Sequence, residues 1–207
     1  MKTERKAMVV VGVFGAMGAG KTVVLDMLNN LGAVAIRADD VSRELLQPRS
    51  DICRDIRRAF GDEYFDNDRL RRAKLGRLIF QDEAARKRLN RIMYPAMKEA
   101  LGTKINALAQ QPLPPVIVAV EAANLFEMGA DDLADVTLGI TAPHHVRADR
   151  IRKRDGISYQ EARRRLEAQK AAGLDRHTAD FEIDTEKGKE QLRREIAHLY
   201  EMLGPER

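Results

Sequence analysis

The fold is decided by the stretch Gly15-Ala16-Met17-Gly18-Ala19-Gly20-Lys21-Thr22, which follows an apolar run over residues 8–14 and precedes a helix-like segment. Glycines at these positions let successive backbone N–H groups turn toward phosphate oxygens, and the positive end of the following helix adds to the attraction. Lys21 and Thr22 would then reach the outer phosphates and a magnesium ion. We therefore interpret the segment as a nucleotide-binding P-loop rather than as a glycine-rich turn with a lysine nearby.

The composition limits the function classes that remain open. Of the 207 residues, 44% are hydrophobic and 33% are charged, as in globular proteins. The single cysteine excludes an intramolecular disulfide and suits the cytoplasm, where we expect the protein to act. The net charge of +4 suits an anionic ligand. No stretch approaches the ~20 apolar residues of a membrane span, so no membrane partner is expected. Nucleic acid is disfavoured because the basic runs lack interleaved aromatic residues.

The pattern of apolar runs predicts the fold class. Five short buried strands are expected at residues 8–14, 33–36, 116–120, 136–140 and 181–183, with helical patterns between them. This alternation predicts an α/β fold with a five-stranded doubly wound parallel sheet of the P-loop NTPase type.

The spacing of those runs also predicts how the domain is organised. About seventy residues separate the second strand from the third, too many for one crossover. We expect a single domain, 1–207, with an inserted helical acceptor-binding subdomain at about 40–112 and a helical lid at about 144–178. Within the insert, residues 60–68 are predicted to form a polar turn, and Pro95 is expected to kink or divide a long helix.

Phosphoryl transfer requires a carboxylate near magnesium and another near the acceptor hydroxyl. Glu121, at the end of the third strand, is the candidate for the first, although it could equally begin a helix. Asp39 or Asp40 could supply the second, although aspartate is also a common helix N-cap. A basic run could follow the moving charge or form a solvated helix face; it comprises Arg147, Arg150, Arg152, Lys153 and Arg154. No spacing predicts a metal site besides nucleotide-bound Mg²⁺.

The chain resembles the dephospho-coenzyme A kinases from the P-loop to about Asp184. The P-loop matches their G-G-I-G-S-G-K-[ST], and Ala179-Asp180-Phe181 with Ile183-Asp184 resembles their A-D-Y-V-I-D. The lid pattern R-D-G-L-S…E-A…R-I…Q is followed by Arg154-Asp155-Gly156-Ile157-Ser158, Glu161-Ala162, Arg165-Leu166 and Gln169. Shorter matches are Leu31-Gly32-Ala33 with Ala38-Asp39 and Arg43, Leu89-Asn90 with Pro95, and Leu125-Phe126-Glu127.

The resemblance implies an enzyme that transfers the γ-phosphate of ATP, with Mg²⁺, to the ribose 3′-hydroxyl of dephospho-coenzyme A, the last step of coenzyme A biosynthesis. Its implied catalytic residues are Lys21, Asp39 as the general base, and Arg150. The expected nucleotide-binding residues are Gly15, Gly18, Ala19, Gly20, Lys21, Thr22, Val23 and Arg154. The expected acceptor-binding residues are Arg37, Asp39, Arg43 and Glu121, and the expected metal ligands are Thr22 and Glu121.

The chain also departs from the family pattern. Arg37 replaces the first aspartate of D-A-D, and because residues two apart in an extended segment share a face, we expect it to point into the same pocket as Asp39. It could pair with Asp39 and weaken it as a base, or bind an extra anionic group of the acceptor. The other departures are Tyr94, Glu121, Ala123-Asn124, Arg147, Asp175 and Thr185-Glu186.

These departures leave two alternatives open. One is a paralogous P-loop kinase that phosphorylates a different hydroxyl group, and the other is a catalytically idle nucleotide-binding protein. The presence of Asp39 and Arg150 favours an enzyme. The oligomeric state and the preferred phosphate donor are not predicted.

Overall fold

The computed structural model describes residues 8–171 and 178–204. Its strands are β1 (Val9–Phe14), β2 (Val34–Arg37), β3 (Phe65–Asp66), β4 (Arg69–Leu70), β5 (Ile117–Glu121), β6 (Val136–Thr141) and β7 (Phe181–Asp184). Its helices are α1 (Lys21–Asn30), α2 (Ala38–Leu45), α3 (Asp51–Phe60), α4 (Arg72–Gln81), α5 (Glu83–Ala109), α6 (His144–Asp155), α7 (Tyr159–Ala171) and α8 (Lys189–Leu203).

Five strands form one sheet in the order β2-β5-β1-β6-β7. The strand β1 pairs in parallel with β5, from Val9 opposite Ile117, and with β6, from Val11 opposite Val136. The pairing of β6 with β7 is also parallel. The apolar runs form strands without polar alternation because a parallel sheet is covered on both faces. The predicted fold class is therefore confirmed.

The chain divides into two compact units, one formed by residues 1–36 with 105–207 and the other by residues 37–104. In the first unit, α1 and α8 pack against the sheet around a shared apolar core. Its fully buried side chains include Val13, Val24, Leu25, Ile117, Leu138 and Ile196. This core fixes the carboxyl end of β1, from which the P-loop leaves the sheet.

The second unit is mainly helical and has its own core, which includes Cys53, Ile56, Phe60, Phe65, Leu75 and Met93. The predicted polar turn over residues 60–68 is wrong in part, because Phe65 and its neighbour form β3, which pairs with β4 in a short hairpin. Phe65 is buried, and Asn67 takes a positive φ of 50° at the turn. Phe65 and its pairing partner Leu70 both pack on the core of this unit, which holds the otherwise polar segment as a hairpin.

The long helix α5 is one helix that contains Pro95, rather than two. Proline at this position supplies no N–H to the carbonyl of the residue four places earlier, but packing holds the helix together on both sides. An acceptor-binding role for the helical insert over 40–112 stays a prediction.

Two helices, α6 and α7, form a hairpin in the region predicted as a lid. Their contact is a small cluster of Ala148, Ile151, Ala162 and Leu166, against which Met17 of the P-loop packs. The end of the predicted lid, residues 172–177, lies outside the described residues, and so does the departure at Asp175. In the described part of the chain, no helix has both the length and the apolar character needed to cross a bilayer.

Candidate active site

The P-loop joins the end of β1 at Phe14 to the start of α1 at Lys21. Gly20 is the N-cap of α1 and takes a left-handed conformation, with φ 101° and ψ 18°. Thr22, Val23 and the following residues continue as helix, and the backbone N–H groups of Val23 and Val24 donate to the carbonyl oxygen of Gly20, at 3.0 and 3.3 Å. The strand, loop and helix predicted around this motif are thus present in that order.

Glycine is favoured at two loop positions because other atoms lie close against them, backbone atoms at Gly18 and side-chain atoms at Gly20. A Cβ atom on Gly18 would lie 2.7 Å from the carbonyl oxygen of Arg147 in α6, and Gly18 has φ 77°. A Cβ atom on Gly20 would lie 3.0 Å from Oγ1 of Thr185 and 3.3 Å from an Arg150 nitrogen. The loop is therefore enclosed on its outer side by α6 and by the residue that follows β7.

Lys21 lies between the loop and β5. Its Nζ donates to the carbonyl oxygen of Gly15 at 2.9 Å and lies 3.8 Å from Oε1 of Glu121. Both side chains are largely buried, with 14% and 16% of their surfaces exposed. Glu121 ends β5 and is followed by a turn rather than a helix, so the alternative that it begins a helix is wrong. This arrangement places an ammonium and a carboxylate side by side at the loop.

Arg150 of α6 binds the outside of the P-loop through its guanidinium group. One terminal nitrogen donates to the carbonyl oxygens of Gly18 and Ala19, each at 3.2 Å, and to Oγ1 of Thr185 at 2.7 Å. The other donates to the carbonyl oxygen of Thr185 at 2.8 Å. The predicted lid arginine is thus brought to the predicted phosphate loop, where it supplies a positive charge.

The hairpin of α6 and α7 contacts the loop at a second point. The backbone N–H of Met17 donates to Oε1 of Gln169 in α7 at 2.8 Å. Because the Met17 side chain packs between the two helices, both its backbone and its side chain connect the loop to the hairpin.

Three of the predicted acceptor residues belong to the second unit. The expectation that Arg37 and Asp39 share one face of an extended segment is wrong, because the extended backbone ends at Arg37 and α2 begins at Ala38. Asp39 is in the first turn of α2, and the N-cap is Arg37, so Asp39 is not the N-cap either. Arg43 contacts Asp40 at 2.5 Å one turn earlier. Side chains two residues apart lie on the same face of a strand but not of a helix, so the start of α2 at Ala38 removes the shared face of Arg37 and Asp39.

The other basic side chains of α6 form ion pairs at its surface. Arg154 donates through Nε to Asp155 at 2.7 Å, and this bond raises the pKa of Arg154. The same bond, with the charge of Arg165, holds the pKa of Asp155 below its usual range. Arg152 and Lys153 both bind Asp149, at 2.7 Å each. Among the predicted cations, Arg150 binds the P-loop, whereas Arg152, Lys153 and Arg154 bind neighbouring carboxylates.

Two residues at the loop were not predicted as site residues, namely Thr185 and Gln169. Both had appeared only in the family patterns, Gln169 as a match and Thr185 as a departure. Their contacts with the loop span 166 and 152 residues of sequence, so no local pattern indicates them.

A parallel sheet with the P-loop strand at its centre, a left-handed glycine at the start of α1, and Lys21 beside a strand-end carboxylate define a nucleotide-binding protein of the P-loop class. Solved structures share this fold. A protein from Thermus thermophilus superposes with a TM-score of 0.74 at 25% identity, over 97% of this chain and 100% of that one. A Campylobacter jejuni dephospho-CoA kinase has the same fold, with a TM-score of 0.67 at 22% identity, over 95% of this chain and 98% of that one.

Sequence comparison then gives the family. The family model for dephospho-CoA kinase matches residues 9–191. A dephospho-CoA kinase of Syntrophotalea carbinolica is 36% identical over 199 residues, which are 96% of this chain and 93% of the relative. One of Moorella thermoacetica is 38% identical over 163 residues, 78% of this chain and 76% of the relative. The chain belongs to the dephospho-CoA kinase family.

Proposed function

We propose that this chain transfers the γ-phosphate of ATP to the ribose 3′-hydroxyl of dephospho-coenzyme A and so completes coenzyme A in the cytoplasm. The observation that carries the proposal is the family match over residues 9–191, which includes an intact P-loop. The match does not favour the two alternatives open from sequence, a kinase for another hydroxyl group or an idle nucleotide-binding protein.

On the donor side, the backbone N–H groups from Gly18 to Thr22 would bind the β- and γ-phosphates of ATP. Lys21 would leave its contact with the Gly15 carbonyl and reach the outer phosphates, since a lysine ammonium has three donors on a flexible stem. Arg150 would add positive charge as the γ-phosphoryl group moves, which matters because the reaction proceeds mainly by positioning and charge neutralisation. The contacts of Lys21 and Arg150 with the loop support these roles.

The residues at the loop fit the magnesium ion that accompanies ATP. Mg²⁺ binds one or two protein oxygens together with phosphate oxygens and water, and does not need a full cage of protein ligands. The hydroxyl of Thr22 and the carboxylate of Glu121 are oxygen donors of this kind, and Glu121 already lies beside one cation, at 3.8 Å from Lys21. No group of three or more His, Cys, Asp or Glu side chains that could hold a metal ion occurs among the described residues. The ion would neutralise charge between the phosphates.

On the acceptor side, Asp39 would accept the proton of the 3′-hydroxyl group. The oxygen of that hydroxyl group would form a bond to the γ-phosphorus, while the bond from the γ-phosphorus to the β–γ bridging oxygen breaks and ADP is released. Asp39 is exposed and lies two residues after the end of β2, in the first turn of α2, which supports access to a substrate. Arg37 and Arg43 would bind anionic groups of the acceptor. Because the transition state is loose, a modest base is sufficient here.

The test is ADP release with Mg·ATP and either dephospho-coenzyme A or a panel of nucleosides and phosphorylated metabolites. We expect turnover with dephospho-coenzyme A, a product phosphorylated at the 3′ position by phosphorus NMR, and loss of turnover when Mg²⁺ is chelated. Lys21→Ala serves as the inactive control. Turnover only with a different acceptor would refute dephospho-coenzyme A as the substrate. Absence of turnover with every acceptor tested would refute the proposed enzymatic activity.

A further inference from the structure

Thr185 is a buried polar residue of the first unit, with 6% of its surface exposed. It follows β7 directly, and its backbone N–H donates to the carbonyl oxygen of Thr141 at the end of β6. This bond continues the β6–β7 pairing by one residue and fixes the backbone of Thr185. Its side chain is thereby held at the carboxyl edge of the sheet, against the P-loop.

The Thr185 hydroxyl is used both as donor and as acceptor. It donates to the carbonyl oxygen of Ala19 at 2.5 Å and accepts from the Arg150 guanidinium at 2.7 Å. The carbonyl oxygen of Thr185 accepts from the other terminal nitrogen of Arg150 at 2.8 Å. A hydroxyl that joins a cation to a carbonyl is well suited to fixing the direction of both, since bonds to charged groups are the stronger ones.

The orientation of the Ala19 carbonyl determines the direction of the next N–H group. In a planar trans peptide the C=O of one residue and the N–H of the next point in opposite directions. Thr185 and Arg150 hold the Ala19 oxygen on the outer side of the loop, so the N–H of Gly20 points to the opposite side. Gly20 is left-handed, and a Cβ atom placed on it would lie 3.0 Å from Oγ1 of Thr185 and 3.3 Å from an Arg150 nitrogen, so these two side chains lie close against the Gly20 backbone.

We propose that Thr185 is a positioning residue for nucleotide binding, which acts through Arg150 and the Ala19 carbonyl to hold the Gly20 N–H toward a phosphate oxygen. The inference rests on the proposed binding of ATP at the P-loop, but it does not depend on which hydroxyl group is phosphorylated. It also gives Arg150 a function in the absence of nucleotide, because its guanidinium donates hydrogen bonds to the carbonyl oxygens of Gly18 and Ala19.

The experiment measures the dissociation constant of Mg·ADP by titration calorimetry, with no acceptor present. Thr185→Val removes the hydroxyl at nearly constant volume, and we expect affinity to fall about tenfold, or ~1.4 kcal/mol. Thr185→Ala, which lacks the hydroxyl but has a smaller volume, should weaken binding similarly. Thr185→Ser keeps the hydroxyl and should stay within about threefold of the wild type.

A matched control separates positioning from stability. Thr137 in β6 also has a bonded hydroxyl, which donates to Asp180 at 2.7 Å, but its partners are not P-loop residues. Thr137→Val should lower the melting temperature without changing the Mg·ADP affinity. Wild-type affinity in Thr185→Val or Thr185→Ala would overturn the proposal and leave Thr185 a purely structural role.

A double-mutant cycle tests whether the effect passes through Arg150. If it does, adding Thr185→Val to Arg150→Ala changes the dissociation constant by less than about threefold, because the coupled partner is already gone. Full additivity of the two substitutions would refute this route. A wild-type protein that fails to bind Mg·ADP would instead overturn the proposed function, so the two failures are distinguishable.

Discussion

The contact between Gly18 and α6 leads to a prediction about stability. In Gly18→Ala, the new Cβ atom would lie 2.7 Å from the carbonyl oxygen and 3.1 Å from the Cα atom of Arg147. These are backbone atoms of a helix, so they cannot move aside by a side-chain rotation. Either the loop or α6 has to shift, and we expect the folded state to be destabilised.

Gly156 provides the matched control, since it is also left-handed, with φ 66° against 77° for Gly18. A Cβ atom on Gly156 would meet nothing within 4 Å. Both alanine variants therefore carry the same backbone strain, about 1–2 kcal/mol for a residue with a Cβ atom in this conformation. Only Gly18→Ala adds overpacking, which costs about 1–3 kcal/mol. The difference between the two variants isolates the contact of the loop with α6.

The assay is the free energy of unfolding from urea denaturation, together with the melting temperature, both without nucleotide. We expect Gly18→Ala to lose about 1–3 kcal/mol more than Gly156→Ala, a further drop of about 2–12 °C for a chain of this size. Equal losses in the two variants would refute the reasoning, because the helix would then not lie tightly on the loop. Nucleotide is omitted since a methyl group at Gly18 could also disturb phosphate binding directly.

Three further predictions concern single groups. Lys21→Ala should abolish ADP release, and retained turnover would count against the P-loop assignment. Asp39→Asn should lower kcat while the dissociation constant of ATP stays unchanged, as checked by steady-state kinetics and titration; a weaker ATP affinity would contradict the base role. The hydroxyl and backbone N–H of Thr137 lower the pKa of Asp180. The contribution of ionised Asp180 to folding stability is fully present above the ordinary aspartate pKa near 3.9. It is lost as the pH falls through the lowered pKa that Asp180 has in the folded state. The melting-temperature difference between wild type and Asp180→Asn should therefore be larger at pH 7 than at pH 3, and a constant difference would contradict this origin.

Much of the fold could be predicted because it rests on local pattern. The apolar run over residues 8–14 indicates a buried strand, and the glycines with Lys21 indicate the P-loop. The helical spacing of apolar residues after Thr22 predicts α1. The four other apolar runs gave strands with bounds within one residue of those observed. In a parallel sheet covered on both faces, each strand is a continuous apolar run, and such runs stand out against charged helices.

The parts that could not be predicted depend on where local pattern changes over one or two residues. The strand β2 becomes the helix α2 between Arg37 and Ala38. The apolar run ends at residue 36 and the helical pattern is clear only from about residue 40, so the pattern does not decide the conformation of residues 37–39. A shift of one residue in that boundary moves Asp39 from the face it shares with Arg37 to a different direction. The hairpin of β3 and β4 was missed for a related reason, since its two short strands contribute only Phe65 and Leu70 to the core of the second unit.

The connection between Thr185 and the P-loop depends on strand order. In the sheet, β1 has β6 as a neighbour and β7 lies beyond β6, so the residue after β7 has to pass the end of β6 to reach the loop after β1. It does so through the bond to Thr141, which places its hydroxyl within 2.5 Å of Ala19. Apolar runs specify that five strands exist but not which of them are neighbours, because every buried strand has a similar pattern. The P-loop could therefore be recognised from one segment of sequence, whereas the residues that contact it from other elements are identified only once the order β1-β6-β7 is known.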